Sequence, residues 1–314
     1  MSKRKISAVA LLMAGIVLLS AIITAFTGVS HQKQEDRWQI VASFYPVYIA
    51  ALNVTDGVEG ISLQTLAGPQ TGCLHDYQLS PDNQIALEKA DVLLLSGAGA
   101  EEFLEDALVP LSDLPVIDMA QSIDLLGSDH VHEGEGHTHT LYNEHIWTSP
   151  ARYAKQVQNL CDGLSQLDPD NAAAYQANTR RYLAEIEDVQ TSLAEIANML
   201  PDIDSIIFHE SLAYLVQDLG LTVTAEIPMG EDEPISAATL AQAEQAIRAD
   251  RDLWLLYDAQ YPSNDYDYLG QKAAHSHKLV LDMGVSGDVD KNAWLTAMRS
   301  NLEQLREAAQ EEVS

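Results

Sequence analysis

Cysteine is nearly absent. The 314-residue chain has two, Cys73 and Cys161, too few for a disulfide scaffold or a cysteine-based zinc finger. Basic residues are also scarce. Seventeen Lys and Arg stand against 47 Asp and Glu, a net charge of −30. That balance excludes nucleic acid as a partner, because such binding rests on basic contacts to phosphate. It suits a surface that gathers cations. No HExxH or comparable metalloprotease motif occurs. Long apolar runs are missing except for one, residues 6–28, which follows Lys3, Arg4 and Lys5. A run of that length can span a bilayer as a helix of about 20 residues. The basic flank keeps its own end in the cytoplasm and sends the rest across. Residues 1–30 therefore read as a signal or anchor segment that ties the chain to the cytoplasmic membrane or is cleaved on export. No cysteine follows the run, which excludes an acylated cysteine, and no clean A-x-A cleavage pattern is present. The protein is expected outside the cytoplasm, membrane-anchored or secreted.

What the chain does have is histidine in one place. Five of its ten histidines fall within DHVHEGEGHTHTLYNEHIWTSP, residues 129–150. Between His130, His132, His137 and His139 lie mainly small, acidic or flexible residues, which cannot bury an apolar face. Neutral imidazole is the commonest protein metal ligand. The stretch 129–140 thus reads as an auxiliary metal-collecting loop. His145 is different. Ile146, Trp147 and then Ser149-Pro150 follow it, the last two a helix cap and first-turn proline. It is expected to be anchored beside the loop.

The rest alternates between short β-branched runs and helical patterns, which predicts α/β architecture. Strands are expected at 39–44, 61–66, 91–96 and 115–118, and helices at 46–54, 81–89, 101–111 and 151–166. The span 169–200 holds no internal glycine or proline, and Tyr175, Tyr182, Ile186, Val189, Leu193 and Ile196 recur at helical spacing. It predicts one rigid spine helix of roughly 45 Å between two lobes. The alternation then resumes, with strands at 205–208, 221–226, 253–257 and 279–281. Helices are expected at 211–219, 237–250, 266–275 and 292–309. This gives a signal segment (1–30), an N-terminal lobe (38–168), a spine (169–200) and a C-terminal lobe (201–314). In α/β sheets, ligands gather at the carboxyl ends of strands. His75 and His145 lie in loops entering capped helices, and His209 and Asp282 directly follow strands. Three imidazoles and one carboxylate make a four-ligand set suited to Zn2+. Asp258, or a water, competes with Asp282 for the fourth place.

At these residues the chain resembles the zinc- and manganese-binding proteins of bacterial ABC transporters, the zinc-uptake substrate-binding family. The stretches that carry the likeness are SFYPVYIAA, GPQTGCLHDYQLSP, ADVLLLSGAGAEEFL, NEHIWTSPARYAKQV, IIFHESLAYLVQDLGL and LVLDMG. They run in family order through nearly all of residues 38–314. The resemblance implies two similar α/β lobes joined by one long helix, with metal in the cleft between them. Its ligand positions fall on His75, His145, His209 and Asp282. It further implies Zn(II) as the transported ligand, a permease as partner and no enzymatic activity. The usual D-P-H-x-W-x-D-P segment reads NEHIWTSP here, with Asn143, Glu144 and Ser149 at the changed positions. Three imidazoles favour zinc over manganese, whose binders in this family are richer in oxygen. A surface adhesin or zinc buffer of the same fold is the rival reading, and a zinc hydrolase a more distant one. Cys73 and Cys161 either pair or remain two buried thiols.

Overall fold

The computed structural model describes residues 37–71, 74, 77–127, 142–228, 236–249, 253–261, 267–273 and 276–312. The N-terminal apolar segment, Cys73, His75 and the four loop histidines His130, His132, His137 and His139 lie outside the described residues. Among the described residues no helix is long and apolar enough to cross a membrane.

The chain begins with strand β1 (Trp38–Ala42), helix α1 (Tyr45–Val54), strand β2 (Ile61–Thr65) and helix α2 (Pro81–Glu88). Strand β3 (Val92–Leu95), the short helix α3 (Glu105–Leu108) and strand β4 (Val116–Asp118) follow. Helix α4 (Pro150–Leu167) leads into the spine, α5 (Ala172–Met199). After it come β5 (Asp204–Phe208), α6 (Ala213–Leu219), β6 (Thr222–Glu226), α7 (Ala237–Arg248) and β7 (Leu253–Asp258). Helix α8 (Asp267–Lys272), strand β8 (Ser276–Leu281) and helix α9 (Ala293–Glu312) close the chain.

The strands form two four-stranded sheets with the same plan. The first runs β2-β1-β3-β4 and the second β6-β5-β7-β8, and every pairing is parallel. Parallel strands need crossovers, so helices cover the faces and inner strands become near-continuous apolar runs. VLLL of β3 and LWLLYD of β7 are of this kind.

Helix starts follow the expected caps. Ser80 forms a reciprocal capping box with Asn83. Ser149 accepts from the Arg152 N–H, and Ser236 from that of Thr239. The spine is one uninterrupted helix, as the spacing predicts. Its six expected apolar residues are all buried, each contributing about 1.5–3 kcal/mol over exposure. It packs on α1 and α4 from one side of the chain and on α6 and α9 from the other. Residues around both sheets and the spine consequently form one continuous core.

Two expectations are corrected, and one left open is narrowed. The helix expected over 101–111 is broken into 3-10 turns at Glu102–Leu104 and Val109–Leu111 around α3. Pro110 lacks the N–H that would continue the ladder, and the Glu101 carboxylate turns back onto Ser96 and Gly97. Strand β8 starts earlier than the apolar run at Leu279, so His277 lies within a strand. Its Nε2 is 3.1 Å from Glu312 Oε1 at the end of α9. Cys161 is a free thiol buried on α4, with Sγ 4.0 Å from Ser165 Oγ; here it is not half of a disulfide.

Candidate metal centre

A sheet of this strand order has its crevice where neighbouring connections leave in opposite directions. In the second sheet that point lies between β5 and β7. Phe208 pairs in register with Tyr257, so His209 and Asp258 leave adjacent strands side by side. His209 is fully buried and has φ 151° and ψ 144°. For a residue with a side chain, this conformation costs about 1–3 kcal/mol and persists only where its surroundings enforce it. Its Nδ1 accepts the Ser211 N–H at 3.1 Å, and its ring lies 4.7 Å from that of Tyr261. The Ser211 hydroxyl in turn donates to Asp258 Oδ2 at 2.7 Å.

Asp258 is buried. Its carboxylate also accepts the Gln260 backbone N–H at 3.0 Å and side-chain N–H at 3.1 Å. Burial pushes its pKa up to about 6 against these bonds, and the charge of Asp282 adds to the rise. Asp282 itself is exposed. Its backbone N–H and carbonyl are both held by the Asn301 amide, at 2.9 and 2.7 Å, and its Oδ1 accepts from Gly284 N–H. The backbone of Asp282 is thus fixed while its side chain faces outward.

The other histidine-bearing loop arrives from the first half of the chain. His145 is fully buried, and a 3-10 turn, Ile146–Thr148, follows it. Its carbonyl accepts from Thr148 N–H at 3.1 Å and from the Thr148 hydroxyl at 2.8 Å. Trp147 locks the turn across the molecule. Its indole N–H donates to Met283 O at 2.9 Å, and the Trp294 indole donates to Trp147 O at 3.0 Å. The His145 and His209 rings meet edge to face with centroids 5.2 Å apart. The structure therefore brings together two of the four sequence-predicted residues, His145 and His209, and links Asp258 to one of them through Ser211. Among the described residues no group of three His, Cys, Asp or Glu side chains is gathered tightly enough to hold an ion.

His75 falls outside the described residues, but its flanks do not. Leu74 is buried, Tyr77 N–H donates to Leu74 O at 2.8 Å, and the Tyr77 hydroxyl donates to Leu66 O at 2.7 Å. On the other side Gly287 N–H donates to Pro69 O at 2.9 Å, and Gln70 Nε2 donates to Gly287 O at 2.8 Å. The segment after Asp282 thus straps across to the loop that bears His75. Tyr45 holds the same strap by donating to Asp288 O at 2.7 Å. Burial and the nearby Asp282, Asp288 and Asp290 push its pKa up to about 12.

Sequence reasoning missed the supporting residues Ser211, Tyr45 and Gln70. Each acts through a contact with a residue distant in the chain or through a turn geometry that no local pattern announces.

A family model described as "Zinc-uptake complex component A periplasmic" matches residues 40–308. The zinc-binding lipoprotein AdcA of Streptococcus pneumoniae strain R6 is 24% identical over 94% of this chain and 61% of its own length. This chain thus spans less than two thirds of that relative. Among solved structures, the SBP FpvC from Pseudomonas aeruginosa in complex with Mn2+ superposes with a TM-score of 0.74 at 22% identity. That match covers 88% of this chain and 99% of the other. A ZnuA deletion mutant with zinc bound gives a TM-score of 0.70 at 25% identity, covering 87% and 98%.

Proposed function

Because the chain belongs to the periplasmic zinc-uptake complex component A family, we propose that it captures Zn(II) outside the cytoplasm and delivers it to an ABC-transporter permease. The observation that carries this reading is the meeting of His145 and His209. Both are fully buried, one comes from each half of the chain, and their rings are 5.2 Å apart. Buried imidazoles collected from distant segments make a site whose occupation ties those segments together. His75 joins them from the strapped loop, and Asp282 supplies an oxygen at the solvent side. Asp258 stands behind as a charge held by Ser211 and Gln260. Zinc accepts three nitrogens and one oxygen in tetrahedral geometry, whereas manganese asks for more oxygen. His130, His132, His137 and His139 add a metal-collecting loop. The lobes are 38–168 and 201–314, with the spine at 169–200 between them and residues 1–30 as the export or membrane segment.

Zinc affinity of the full chain, measured against a chelator with manganese as competitor, tests the reading. One tight zinc site is expected, with manganese far weaker. Removing residues 129–140 lowers total zinc bound and leaves that site. Equal affinity for the two metals, or loss of the tight site with the loop, overturns it.

A further inference from the structure

Asn143 occupies a position that neither ligand histidine shares. It is buried at 4% exposure, and its side chain makes three polar contacts. Oδ1 accepts the His145 backbone N–H at 2.9 Å and lies 3.1 Å from His145 Nδ1. Nδ2 donates to Glu210 O at 2.9 Å. A backbone N–H only donates and a backbone carbonyl only accepts, so these two partners fix which end of the amide is oxygen. With oxygen facing His145 Nδ1, that nitrogen carries the ring proton, and the imidazole lone pair is on Nε2. The Glu210 carboxylate, 3.9 Å from the same Nδ1, favours the proton there as well. The backbone of Asn143 is bound on both sides too. Its N–H donates to Leu126 O at 2.9 Å, and its carbonyl accepts from the Tyr214 hydroxyl at 2.6 Å.

The two ends of the amide therefore serve the two ligand loops. One end sets the tautomer and rotation of His145. The other holds the carbonyl of Glu210, the residue immediately after the strained His209. A carboxylate could accept from His145 but could not donate to Glu210 O; an aliphatic side chain could do neither. Partners of this kind orient metal-ligating histidines and change affinity without touching the ion.

We propose that Asn143 is a positioning residue of the metal site, bridging the first-half and second-half ligand loops and presenting His145 through Nε2. The proposal rests on the reading of His145 as a zinc ligand. Nitrogen-15 spectra of the His145 imidazole in the metal-free full chain read the tautomer directly, and chelator competition reads zinc affinity. The wild type should carry its proton on Nδ1. Asn143→Ala should give a mixture of tautomers and weaken zinc by about 10- to 100-fold. Asn143→Asp, which keeps an acceptor and loses the donor, should keep the Nδ1 proton and bind zinc with intermediate affinity. A wild-type ring protonated on Nε2, an alanine variant with unchanged affinity, or an aspartate variant weaker than alanine overturns the proposal. If Asn143→Ala does not fold, the wild-type tautomer and the aspartate variant decide alone. His145→Ala separates the two levels: retained zinc affinity there sinks the ligand assignment itself, whereas a loss there alongside normal Asn143 variants sinks only the bridging role.

Discussion

The two sheets share strand order, direction and a buried carboxylate at the crevice, yet among the described residues only the second crevice sets an imidazole beside that carboxylate. At the β1/β3 point Glu101 accepts from the Ser43 hydroxyl at 2.7 Å, Ser96 N–H at 2.7 Å and Gly97 N–H at 3.1 Å. Those bonds join the ends of both strands. At the β5/β7 point the carboxylate of Asp258 is bound to Ser211, and Ser211 also holds His209, whose ring turns toward His145. Topology supplies a crevice twice. The difference lies in whether the carboxylate closes on backbone or supports an imidazole.

Alanine variants at the two crevices should break this comparison most strongly. His209→Ala should weaken zinc by more than the roughly 100-fold that loss of a supporting partner can cost, at a metal-free cost of about 1–3 kcal/mol for the single buried Ser211 N–H it strands. Glu101→Ala should do the reverse. It strands three buried donors at about 1–3 kcal/mol each, so urea unfolding should show a loss of several kcal/mol, while zinc affinity of the folded fraction stays within a few-fold.

Next in size is a pH effect. Burial outweighs the hydrogen bonds and, with the charge of Glu144, pushes the Glu101 pKa up to about 7. The folded state then binds this proton more tightly than the unfolded chain. The contribution is present in full below the usual carboxylate range near pH 4.5 and is lost as pH rises to about 7. It is on the order of 3 kcal/mol at about 1.4 kcal/mol per pH unit. The wild-type advantage over Glu101→Gln in urea midpoint should therefore shrink between pH 5 and 7.5. An advantage that grows over that interval would contradict the assignment.

The strap is expected to matter less. Gly287 has φ 157°, and a Cβ there would come within 2.7 Å of Tyr45 Oη. Gly287→Ala should cost about 1–3 kcal/mol and loosen the Gln70 loop, lowering zinc affinity a few-fold; thermal melts with and without zinc would separate the two effects. The smallest effect concerns overall shape. A continuous spine and bonds such as Trp147 to Met283 O leave little room for hinge motion. Small-angle scattering should detect a change in radius of gyration on zinc addition of about 1 Å or less; a large compaction would count against a rigid frame.

Much of this was readable in the sequence because it is local. The spine follows from 28 helical residues without glycine or proline and with apolar positions at helical spacing. Ser80, Ser149 and Ser236 announce their helices because a cap acts within three residues. Gly220, at φ 72°, closes α6 for the same local reason. His145 and His209 stand out because one precedes a capped helix and the other follows an apolar strand. Even the failed helix at 101–111 carried its warning in Pro110.

What the sequence determined, then, was the order of elements, their caps, the spine and which histidines and aspartates sit at strand ends. Tertiary structure alone decided which of them meet. His145 and His209 are 64 positions apart, and their approach depends on two sheets packed on one helix. The ring proton of His145 depends on an amide whose other end binds Glu210 O, and the raised pKa of Asp258 depends on burial and on Asp282 in the next strand's loop. Tautomers, pKa values and strain at a positive φ arise from fields and contacts between segments distant in the chain, and no local pattern encodes them.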